Sequence, residues 1–84
     1  MNIQKSELDA VVEAGRILVT SGAEVYRVEE TMKHMEEVFG ITNFESYVVN
    51  GAVIVSGCTR RGKAEARVAN VIAISVNLGK LEAV

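Results

Sequence analysis

The sequence predicts a two-layer α+β domain: two N-terminal helices packed on a three-stranded, mostly antiparallel sheet, followed by a short C-terminal helix. Three observations predict it. Up to Gly40, apolar residues recur every third or fourth position, which is the period of a helix face. Gly22 and Gly40 fall where such helices would stop. Beyond Gly40 the composition turns β-branched and aromatic, and Asn50-Gly51 separates two such runs.

The first helix is expected over residues 6–21. Ser6 followed by Asp9 resembles a capping box with Asp in place of Glu, and Leu8, Val11, Val12, Ile17, Leu18 and Val19 supply the apolar side. Gly22 ends it. The second helix is expected over 24–39, with Glu24 at its positive end and Val25, Val28, Met32, Met35 and Phe39 spaced to share one face. Glu29 and Lys33, four apart in the favourable order, mark a solvated flank. Strands over 43–49 and 52–57 are joined by Asn50-Gly51 as a type I′ turn. Residues 57–63 read as a polar connection and 66–76 as a third strand. Val68, Ile72, Ile74 and Val76 lie on one side of that strand, and the small apolar Ala69, Val71 and Ala73 on the other. A strand apolar on both sides asks for cover on both faces or for another chain. From Asn77 a further helix begins with Leu78, Leu81 and Val84 apolar, and its pattern breaks off as that of an excised domain or of a terminal helix docked on the sheet would, the first being favoured.

With 84 residues the chain is expected to form one domain, residues 1–84. A domain of this size buries only about 60–65% of its unfolded surface and gains from a partner. A single Cys and no Pro exclude a disulfide scaffold or Pro-rich linker, and a net charge of -2 argues against a nucleic-acid partner. The longest apolar stretch, 68–76, is too short to span a bilayer, and Lys5, Glu7 and Asp9 stand where a signal peptide would be apolar.

The motifs that could carry chemistry mostly have plainer readings. Gly57-Cys58-Thr59-Arg60-Arg61-Gly62-Lys63-Ala64 nearly spells a phosphate-binding loop, but Ala64 stands where Ser or Thr must hold Mg²⁺. A solvated basic hairpin of Arg60, Arg61 and Lys63 fits better. Glu30 and His34 are one helical turn apart without a second His, so no metal site is expected. Cys58 has no base assigned by sequence, and neither a catalytic residue nor a cofactor is expected. The remaining constellation lies just after the first helix: Ser21, Gly22, Glu24, Tyr26, Arg27, Glu30 and Thr31. Arg27 can grip a carboxylate and Glu24 or Glu30 an ammonium, as an amino-acid-like ligand would require. The plainer alternative is a salt-bridge network that braces the helix.

Gly15-Arg16-Ile17-Leu18, the run Ser21-Gly22-Ala23-Glu24-Val25-Tyr26-Arg27-Val28-Glu29-Glu30-Thr31-Met32, the Val48-to-Ser56 hairpin and Val76-Asn77-Leu78-Gly79-Lys80-Leu81 together resemble the N-terminal domain of the threonine/serine exporter family (ThrE, YjjP-like). The likeness covers nearly the whole chain, and the run from Ser21 is its specific part. It implies a soluble domain on the cytoplasmic side of the cell membrane, partnered by the transmembrane portion of a secondary transporter in the same or a separate polypeptide. It also implies threonine or serine as a small-molecule partner. The Ser21-to-Thr31 corner would then dock on the membrane portion or sense the amino acid, with Arg60, Arg61 and Lys63 as a membrane-facing basic loop. The Asn50-Gly51 turn departs from the Thr-, Pro- or Gly-rich turns expected in the family, and these residues carry no transport path of their own. The alternative is a free-standing module that forms a homo-oligomer through the third strand or the Met32/Met35 face.

Overall fold

The computed structural model describes residues 6–71, with two helices followed by three strands: α1 (Glu7–Thr20), α2 (Val25–Phe39), β1 (Thr42–Val49), β2 (Ala52–Cys58) and β3 (Ala64–Asn70). The strands form one antiparallel sheet in the order β1-β2-β3, and both helices pack on the same face of it. The predicted two-layer α+β architecture is therefore present. The C-terminal helix expected from Asn77 and the third strand beyond Val71 lie outside the described residues.

The N-terminus of α1 is the capping box expected from Ser6 and Asp9. The Leu8 N–H donates to Ser6 Oγ at 3.1 Å and the Ser6 N–H to Asp9 Oδ2 at 2.8 Å, so two otherwise orphaned donors are satisfied. Leu8, Val11, Val12 and Gly15 turn to the core. Ile17, expected on the same face, is exposed because nine residues at about 100° each place it roughly half a turn from Leu8. On α2, Val28 and Met32 are fully buried, and Met35 and Phe39 pack at the margin of the core. Val25 was expected with them but is 51% exposed, because it opens the helix at the edge of the domain. Burial of Met32 within its own domain also removes the Met32/Met35 face as a surface for a second copy.

Asn50-Gly51 does form a two-residue hairpin, with Val49 paired to Ala52. Only Gly51 of the pair has positive φ (91°), so the turn is not the expected type I′, which needs positive φ at both central residues. At the far end of the hairpin, a register shift between Thr42 and Glu45 forms a bulge around Asn43, whose φ is 53°. The bulge lies across Gly57, which leaves no room for a side chain. A Cβ there would stand 2.6 Å from Ile41 Cγ2, 3.1 Å from the Thr42 carbonyl oxygen and 3.4 Å from Phe44 Cα. Gly57 and Cys58 thus belong to β2, and the connection shortens to Thr59–Lys63.

Strand alternation and pairing divide the sheet into two faces. Val48, Val53, Val55 and Ala69 point to the helices, while Tyr47, Ile54 and Val68 form a cross-strand row on the opposite side. On β3 the inward set also includes Arg67 and Glu65. Arg67 Nε donates to Asp9 Oδ1 at 2.6 Å, and Nη2 donates to Ser6 Oγ at 3.3 Å and to Glu65 Oε1 at 3.2 Å. The Asp9 carboxylate, and secondarily Glu65, hold the Arg67 guanidinium above its ordinary pKa. One arginine therefore fastens the start of α1 to the last strand. Replacing it with Met is expected to lower stability by about 1–2 kcal/mol in urea unfolding, the scale of charge-assisted hydrogen bonds at a partly exposed site, with a smaller loss at high salt.

Candidate functional site

The corner between the helices is built by backbone chemistry. After α1, the Gly22 N–H donates to Val19 O and the Ala23 N–H to Leu18 O, both at 3.0 Å, and Gly22 takes a left-handed φ of 89°. These are the paired bonds of a Schellman motif, which need a residue without a Cβ at the left-handed position. Ser21 Oγ donates to Ile17 O at 2.8 Å, so its hydroxyl is turned back onto the helix. Ala23 packs against the core and anchors the turn. Glu24 then occupies the N-cap of α2 in extended conformation, but its side chain caps no N–H of that helix.

The predicted constellation lies on this rod's outer side. Ser21, Gly22, Glu24, Tyr26, Arg27 and Glu30 are exposed and Thr31 is half-buried, whereas Val28 and Met32 fix the opposite side in the core. Arg27 stands over the Tyr26 ring at 5.8 Å from its centroid, within cation–π range. It forms no ion pair or hydrogen bond with Glu24 or Glu30 among the described residues, although each is three positions away. The salt-bridge brace is therefore absent. Both signs of charge stand side by side, uncommitted to one another.

The basic residues are placed elsewhere. Thr59, Arg60, Arg61, Gly62 and Lys63 form a hairpin connection in which the Gly62 N–H donates to Thr59 O at 2.8 Å and the Thr59 N–H to Lys63 O at 3.2 Å, and Gly62 is left-handed with φ 81°. Between the hydrogen-bonded Thr59 and Lys63, the three-residue loop Arg60-Arg61-Gly62 with its glycine bulge leads into β3, so no helix N-terminus follows it to receive a phosphate. Arg60 reaches back over Gly40, and its Nη2 lies 3.5 Å from the Val38 carbonyl oxygen. It thereby meets the negative end of α2. Arg61 and Lys63 are exposed. The Ser21 corner is at one end of α2 and this hairpin at the other, so the structure does not bring the two predicted groups together.

A feature not evident in the sequence lies between α2 and β1. Glu29, Lys33 and Glu36 with Phe44 and Ser46 line a shallow groove of about 310 Å³. The spacing of Glu29 and Lys33 already marked one flank of a helix, but nothing local showed that the strand would run beside it. Lys33 pairs with Glu37 at 4.0 Å, not with Glu29 as its spacing suggested. His34 is exposed, and Cys58 is half-buried at the end of β2 instead of in a loop. Among the described residues, no three His, Cys, Asp or Glu side chains gather as metal ligands.

Residues 9–84 match a family model described as "ThrE: Putative threonine/serine exporter". No curated protein and no solved structure gives a significant match.

Proposed function

The chain belongs to the threonine/serine exporter family, and from that membership we propose that it is the accessory domain of such an exporter, docking through its Ser21-to-Thr31 corner. Its partner is the transmembrane portion of the carrier, in the same or a separate polypeptide, and its place is the cytoplasmic side of the membrane. The family is one of transporters, not enzymes. No helix among the described residues is long and apolar enough to cross a membrane, and the export path belongs to the partner in this reading.

The observation that supports docking is the exposed corner itself. Arg27, Glu24 and Glu30 are held on a helix whose other side is locked by Val28 and Met32, and among the described residues none of the three is engaged in an ion pair. Charges fixed on a rigid element and left without internal partners lose little conformational entropy when a partner supplies the counter-charges.

Charge reversal, Arg27→Glu, in the intact exporter tests this reading. Threonine efflux is expected to fall about tenfold, the effect of losing roughly 1.4 kcal/mol of docking energy, while circular dichroism of the domain stays unchanged. Unaltered efflux would overturn docking through this corner. Calorimetric titration of the domain with millimolar threonine or serine is expected to be flat. An isotherm that Arg27→Ala abolishes would assign the corner to amino-acid sensing instead.

A further inference from the structure

The sheet has one face covered by helices and one with no cover among the described residues. On the uncovered face, the pairing sets Tyr47, Ile54 and Val68 in one row, flanked by Val49-Ala52-Asn70 on one side and Glu45-Ser56-Ala66 on the other. Tyr47 is 52% exposed and Val68 62% exposed. A sheet with one solvated face ordinarily alternates apolar inward and polar outward. Here the polarity runs the other way on β3, where Arg67 and Glu65 face the helices and Val68 and Ala66 face out.

We propose that this outer face is a self-association surface, stacking on the same face of a second copy of the chain. Charge favours a second copy. Among the described strand residues, the face carries one ionised side chain, Glu45, at its margin on edge strand β1, where it accepts a hydrogen bond from the Tyr47 hydroxyl at 2.8 Å. A two-fold arrangement sets neutral row against neutral row and need not desolvate a charge at its centre. Small side chains surround the row, namely Ala52, Ser56 and Ala66, so a second sheet can approach to the usual spacing of about 10 Å. A lipid surface would call for basic side chains around the patch, and the face has a carboxylate there instead.

Size is consistent with a weak dimer. Three strands of this length, at about 3.3 Å rise and 4.8 Å spacing, make a face of roughly 25 by 14 Å. Two such faces amount to about 700 Å² in total, below the roughly 1,200 Å² at which stable specific interfaces begin and in the range of weak, transient ones. The association is therefore a concentration-dependent one.

Sedimentation velocity of the 84-residue chain, from about 10 µM to about 1 mM, tests the proposal. The mass is expected to double across the series, and Val68→Lys is expected to weaken the dimer at least tenfold with an unchanged circular dichroism spectrum. A second measurement uses Ile54→Cys in a Cys58→Ser background with a short bis-maleimide reagent. Ile54 is the middle of the central strand, so it should cross-link to its counterpart, whereas Glu30→Cys in the same background should not. A chain that stays monomeric across the range would overturn the proposal, and so would a dimer indifferent to both changes. A monomer destabilised by Val68→Lys would assign the face to cover from residues 72–84 of the same chain, and would equally overturn it.

Discussion

Met32→Ala is expected to cost about 2–5 kcal/mol of folding stability, as removal of a fully buried Met does. Met32 has no exposed surface and lies where α1, α2 and β2 meet. A small domain holds only about 5 kcal/mol or somewhat more, so the variant should keep a few kcal/mol at most, read as a much lower urea midpoint by circular dichroism. What makes the prediction specific to this packing is Gly15. A Cβ on Gly15 would come 2.6 Å from Met32 Sδ and 3.1 Å from Val53 Cγ1. Gly15→Ala alone therefore sets a gain of about 1 kcal/mol in helix propensity against overpacking of about 1–3 kcal/mol. With Met32 cut to Ala, the contact at Sδ is removed and only the 3.1 Å approach to Val53 Cγ1 remains, so the same substitution should cost less than it does beside Met32. The pair should thus be coupled by roughly 0.5–3 kcal/mol in a double-mutant cycle, and additive values would show that the two helices do not meet there as described.

Gly57→Val is expected to lower stability by about 3 kcal/mol, the upper part of the usual overpacking range. Two of the three atoms nearest its missing Cβ, Thr42 O and Phe44 Cα, belong to the backbone of the bulge and cannot move aside as a side-chain end can. Shortening Ile41, the one side chain among the three, should recover only part of the loss. Gly51→Ala serves as the control, because its Cβ would meet nothing within 4 Å and only its positive φ resists. It should cost about 1 kcal/mol in the same urea experiment. A loss at Gly57→Val no larger than that at Gly51→Ala would mean that the bulge does not crowd Gly57 as described.

Features that depend on near neighbours were readable in the sequence. Ser6 and Asp9 predicted a capping box, Gly22 and Gly40 the helix ends, and Asn50-Gly51 a hairpin, because each acts over only a few residues. The turn type was misjudged since Asn-Gly suits more than one turn, and the strands on either side select among them. Features that depend on distant pairs were not readable. Arg67 meets Asp9 from 58 positions away, so no spacing rule shows that β3 turns a charge inward and Val68 outward. Gly15 and Gly57 were likewise opaque: one looked like part of a family motif and the other like the start of a loop, and only tertiary contact shows both as places where another element presses in. For the candidate corner, exposure followed from helix periodicity. The absence of ion pairs around Arg27 depends on rotamers that sequence does not determine.

The fifteen residues of α2 rise about 22 Å from the Ser21 corner to the Arg60 hairpin. A free threonine is far shorter than that, so it can touch one terminus of the rod and never both. Only an object at least that long, lying along α2, could contact the two ends at once.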